Sequence, residues 1–126
     1  MKSILTSIIL FASLTTFAVA EELAKGTFEG KSKHVTTGTA TIVKTDDGFE
    51  IVLGEDFSLD NAPTPRVGLG KDGYDKETDS GALKNLKGAQ TYPLAEGIDP
   101  ANYNEVWIWC KRFNIPLGVA KLTKAE

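Results

Sequence analysis

Cys110 is the only cysteine of the 126-residue chain and His34 its only histidine. Between them they carry most of the chemistry that the sequence offers. A thiolate can act as nucleophile, redox group or soft metal ligand, and an imidazole titrates near neutrality and binds metals. Cys110 sits in Val106-Trp107-Ile108-Trp109-Cys110-Lys111-Arg112-Phe113-Asn114, among two tryptophans and two positive charges. Those charges favour a thiolate. In an extended strand, however, Lys111 projects from the opposite face, which leaves the task to Arg112 or to a loop residue. Four roles for Cys110 stay open: apolar packing, a working redox thiol, a thiolate ligand to haem or another metal with His34 as second ligand, and one half of an intermolecular disulfide. If the role is packing, serine at 110 would bury a hydroxyl with no partner.

The exclusions are firmer. One cysteine allows no internal disulfide, Cys-x-x-Cys zinc site, dithiol redox centre or Cys-x-x-Cys-His haem attachment, and one histidine allows no His-rich metal cluster. A Cys–His hydrolase needs Cys110 and His34 in hydrogen-bond reach and an exposed turn for the nucleophile, but Cys110 falls within a strand of bulky neighbours. The reading is therefore not an enzyme. His34 otherwise reads as a polar strand-end residue bonded to backbone. The acidic residues, among them Asp46, Asp47, Asp56, Asp72, Asp75 and Asp79, are scattered through turns and lack the alternating ligands of a calcium loop. Gly38, Gly88 and Gly118 read as backbone-conformation positions, since no nucleotide loop surrounds them.

The elements that must hold Cys110 begin after the amino terminus. Met1-Lys2-Ser3, the apolar run Ile4 to Phe17 and Ala18-Val19-Ala20 before Glu21 follow the three-part grammar of a secretory signal peptide. The apolar run is shorter and more polar than the roughly 20 residues of a membrane anchor. Residues 1–20 are thus expected to be removed, leaving 21–126 as one secreted or periplasmic domain without stable membrane insertion. A net charge of −3 suggests neither nucleic acid nor an anionic membrane as partner. A domain of this size can fold without a disulfide or a metal, so no cofactor is required for folding.

Short β-branched segments separated by turn signals every 8–12 residues predict an all-β fold, an antiparallel β-sandwich or barrel-like domain. Strands are expected from Thr27 to near His34, over 37–45, 49–53 and 67–69, in the pair 82–86 and 90–92, and over 106–110 and 117–122. Asp46-Asp47-Gly48 predicts a hairpin turn, 71–80 a mobile loop, and Asp99 to Tyr103 a single helical turn. In the strand over 106–110, Val106, Ile108 and Cys110 share one face and Trp107, Trp109 and Lys111 the other. A sandwich strand has one inner face, yet this one is apolar on both. The tryptophan face must then be covered by a loop, a ligand or another protein, which makes Trp107 and Trp109 either packing residues or a partner site.

Three stretches, His34-Val35-Thr36-Thr37-Gly38-Thr39-Ala40, Leu83 to Tyr92, and Val106 to Ala120 with its Ile108-Trp109-Cys110-Lys111-Arg112-Phe113 motif, resemble the DM13 domain family. The resemblance covers nearly all of 26–122. It implies an extracellular β-sandwich-like domain and a non-catalytic electron-transfer or ligand-binding role centred on the cysteine. A redox partner among envelope or extracellular proteins would follow. Where the family has Gly-Pro-Asp and an aliphatic residue, this chain has Ala62-Pro63-Thr64-Pro65, so the resemblance implies that any ligand site shaped by that aspartate is lost or altered here. The alternative is a structural or protein-interaction module with Cys110 as packing.

Overall fold

The structure, a computed structural model, describes residues 20–126. The expected signal segment lies outside the described residues except for Ala20. Eleven strands follow: β1 (Glu21–Gly30), β2 (Thr36–Thr37), β3 (Thr39–Thr45), β4 (Gly48–Leu53), β5 (Ser58–Leu59), β6 (Pro65–Gly70), β7 (Tyr74–Asp75), β8 (Gln90–Pro93), β9 (Glu105–Cys110), β10 (Ile115–Lys121) and β11 (Thr123–Lys124). Lys76–Thr78 and Pro100–Asn102 form 3-10 turns. The main sheet runs β7-β6-β9-β10-β1-β3-β4-β8 with β11 on β1, and β2 pairs with β5 in a separate ribbon. Every pairing between these strands is antiparallel. The expected sandwich or barrel is realised as one continuous sheet curled into a half-barrel.

β1 makes the curl. It is long enough to serve two halves of the sheet: Phe28 to Gly30 pair with β10, and Glu21 to Thr27 pair with β3. A register shift between Glu22 and Ala24 adds local twist. The β3–β4 hairpin closes where expected, with Thr45 opposite Gly48 and Gly48 at a φ of 132°. Side chains facing into the curl form the core. Val106, Ile108 and Cys110 of β9 meet Val67 and Leu69 of β6 and Leu117 of β10, and Phe28, Ile42, Ile51 and Leu53 continue the cluster. Phe57 packs edge-on against Phe28, with ring centroids 5.4 Å apart.

Three expectations change in detail. The first strand stops at Gly30, because Ser32 and Lys33 take positive φ values of 53° and 65°. No strand forms over 82–86, where only an isolated bridge joins Ala82 to Arg66. Side chains there take the backbone groups that a ladder would need: Lys84 N–H donates to the Tyr92 hydroxyl, and Asn85 N–H to Gln90 Oε1. The 71–80 loop is structured, containing β7 and a 3-10 turn capped by the Asp75 carboxylate. The expected turn at Asp99 is present, with that carboxylate accepting from Ala101 N–H. Gly38 and Gly88 hold positive φ, as backbone-conformation glycines should.

Candidate functional site

Cys110 is the last residue of β9, paired across the sheet with Pro65 of β6 and Ile115 of β10. It points into the core and is 1% exposed. The segment Asn61 to Thr64 crosses above it, and the thiol donates to the Pro63 carbonyl at 3.1 Å. The same segment is fastened to the β9–β10 turn, since Lys111 N–H donates to the Thr64 carbonyl at 3.1 Å and Arg112 N–H to Thr64 Oγ1 at 2.9 Å. Thr64 adopts a φ of 46°, a left-handed conformation that a threonine holds only when its surroundings fix it. The departure Ala62-Pro63-Thr64-Pro65 is therefore a strap over the thiol. Pro65 can open β6 because a first strand position tolerates proline.

His34 is half-buried in the loop after β1, and its Nδ1 lies 3.0 Å from Asp60 Oδ1. The Asp60 carboxylate also accepts from the N–H groups of Val35 and Asn61. The His34 bond first, then those two backbone donors, bring its pKa from 3.8 down to about 2. His34 and Cys110 thus have separate partners, Asp60 and Pro63, which stand three residues apart in the chain. Among the described residues no group of three or more His, Cys, Asp or Glu side chains could hold a metal ion. As arranged, the donors around Cys110 do not fit a metal centre. A thiolate-bound haem would have to displace Pro63 from the sulfur.

The opposite face of β9 carries the tryptophans, and the 71–80 loop covers it. Gly68 and Gly70 of β6 stand across from Trp107 and Glu105, leaving bare backbone on which aromatic rings can lie. A Cβ on Gly68 would come within 2.8 Å of Tyr74 Cε2, and one on Gly70 within 2.5 Å of Trp107 Nε1. Tyr74 stacks on Trp109 with centroids 4.7 Å apart and planes 17° from parallel, while Trp107 meets Trp109 edge-on at 6.2 Å. Leu69 N–H donates to Thr78 Oγ1 at 2.6 Å, and Glu105 Oε1 accepts from Gly73 N–H at 2.9 Å, so the loop is bonded to both strands beneath it. The tryptophans are therefore packed by the chain itself, Trp107 almost completely and Trp109 in part. Arg112 turns outward, its guanidinium 5.4 Å from the exposed Phe113 ring.

Beside Trp109 opens a cleft of about 650 Å³, whose walls include Arg66, Tyr74, Asp79, Tyr103, Trp109 and Lys111. Arg66 grips Asp79 through Nε and Nη2, both at 3.0 Å. Burial pushes the Asp79 carboxyl up, but Arg66, the Gly81 N–H and Lys111 more than offset it and hold the group below its usual value. Burial and then the nearby Asp79 charge raise the Tyr74 hydroxyl to about 12, so it stays protonated at neutral pH.

A model of the family described as electron transfer DM13 matches residues 27–122. The chain belongs to the DM13 family. No curated protein and no solved structure gives a match. The DM13 match spans β1 from Thr27 to Leu122 after β10, and so contains Cys110, the strap and the covering loop. Sequence reasoning picked out Cys110 and the tryptophans but passed over Tyr74, Arg66, Asp79, Asp60 and the Pro63 carbonyl. Only Tyr74 left a partial trace: the glycines alternating at 68 and 70 mark open space above β6 without naming the ring that fills it.

Proposed function

We propose that this DM13 domain is an exported, non-catalytic electron-transfer module whose working group is the Cys110 thiol, uncovered by local opening of the strap. The family's description supports the electron-transfer role. The observation that carries the cysteine-centred part is the thiol's position: it ends β9, and its polar partner is a loop carbonyl in place of a ladder group. A segment fixed by a few hydrogen bonds opens at far less cost than the sheet unfolds. Export accords with β1 beginning at Glu21, so that cleavage after Ala20 leaves the strand whole. Amino-terminal sequencing of the mature protein should begin at Glu21.

A second reading has its own observation. At 1% exposure, Cys110 also fits pure packing in an interaction module. Native-state thiol labelling across low denaturant separates the two. A labelling rate that hardly depends on denaturant reports local opening and supports a working thiol. A rate that rises only with global unfolding, in a protein whose visible spectrum holds no chromophore, favours packing.

A further inference from the structure

We infer that the cleft beside Trp109 is a binding site for a small planar aromatic anion, such as an aromatic carboxylate. The inference does not rest on the electron-transfer reading.

Three observations converge on that ligand. The first is the wall: Trp109 and Tyr74 are both only half-buried in the cleft, giving flat apolar surface beside solvent. A planar ring can stack there with little loss of its own freedom. The second is the charge inventory. The chain as a whole is acidic, yet the cleft is lined by four basic and three acidic residues. Among the described residues only one of the acids is paired with a cation. Asp79 is gripped by Arg66, and Asp75 accepts from Glu77 N–H and from the Tyr103 hydroxyl. Of the bases, Lys71, Lys76 and Lys111 are exposed, and among the described residues none of them forms an ion pair. With Asp79 paired to Arg66, Asp72 and Asp75 keep their charge, and Lys71, Lys76 and Lys111 leave the lining with a net charge of +1.

The third observation is rigidity. Arg66 and Asp79 lock each other, and Thr78 and Glu105 fasten the loop bearing Tyr74 to the sheet. The aromatic wall is fixed before a ligand arrives, so binding spends little on ordering it. Mobile lysines on a fixed wall suit a carboxylate held at the rim, where attraction falls with salt.

Of the chain's two tryptophans, Trp109 lines the cleft and Trp107 packs edge-on against it, so the Trp109 indole N–H signal in a proton–nitrogen correlation spectrum reports on the cleft directly. The purified protein is titrated at low salt with 2-naphthoate, with its neutral amide, and with cyclohexanecarboxylate. 2-Naphthoate should shift the Trp109 indole signal saturably. It should bind at least about fivefold tighter than either control, one lacking the charge and the other the ring. Lys111→Glu and Lys71→Glu, at exposed positions without ion pairs, should each weaken it about fivefold or more while leaving the remaining spectrum in place. Absence of a saturable shift, equal binding by either control, or unchanged affinity in both lysine variants would overturn the proposal.

Discussion

The thiol of Cys110 donates to the carbonyl of Pro63, 47 residues earlier in the chain, at 3.1 Å. Serine at 110 therefore meets an acceptor, contrary to what the sequence suggests. Cys110→Ser keeps a donor aimed at Pro63 and should cost about 1 kcal/mol. Cys110→Ala leaves that carbonyl unanswered beside a small void and should cost about 1–2 kcal/mol. Reversible denaturation measures both. A serine variant markedly less stable than the alanine variant would mean that the bond contributes nothing.

His34 and Asp60 give a pH signature. Asp60 titrates at about 2 in the folded protein and 3.8 as an ordinary carboxylate. With the folded value depressed, its contribution is fully present above about pH 4 and is lost as pH falls through about 2. The carboxylate is exposed, so the effect on stability is small and is better followed at the group itself. A carbon-detected NMR titration should put its midpoint at about 2, and His34→Ala should move it upward toward 3.8. A midpoint that stays put would assign the whole depression to the Val35 and Asn61 N–H donors.

Much of the fold was legible because period-two alternation survives wherever one face of a strand is buried. The β3–β4 hairpin stood out for that reason and β9 for its unbroken run of strand-forming residues, and the burial of Val106, Ile108 and Cys110 together is the expected core face. The stretch 82–86 misled because the Tyr92 hydroxyl and the Gln90 amide, in place of a neighbouring strand, take its backbone N–H groups. The site was half legible. Trp107 and Trp109 announced a second apolar face, but nothing local says that Tyr74 arrives to stack on it. That contact depends on a loop returning across Gly68 and Gly70, and glycine reports available space without naming its occupant. The strap was hidden for a similar reason. Pro63 acts through its carbonyl, which every residue has.

Ile108 tests the inner face. It is fully buried between Val67 of β6 and Gly118 of β10 in the ladder, within the main cluster. Ile108→Ala should cost about 2–5 kcal/mol, because the curled sheet cannot close on the void. A loss under about 1 kcal/mol in denaturant unfolding would place this face of β9 outside the core.

Gly68 tests the outer face. It lies across from Trp107, with Tyr74 Cε2 2.8 Å and Thr78 Oγ1 3.0 Å from where a Cβ would stand. Its φ is not positive, so alanine suits the backbone and any penalty comes from crowding. Tyr74 must then slide along Trp109 or lift with its loop, and either movement loosens the Leu69 to Thr78 bond. Gly68→Ala should cost about 1–3 kcal/mol and reduce the near-UV signal of the aromatic group. Gly81, with no neighbour within 4 Å, is no fair control because its φ of 121° penalises alanine by itself. The better comparison is Tyr74→Ala combined with Gly68→Ala. Removing the ring should relieve most of the crowding, so the double variant should be no less stable than Tyr74→Ala by more than about 0.5 kcal/mol. Fully additive losses would show that Tyr74 is not what fills the space above Gly68, and that the loop does not lie on this face as described.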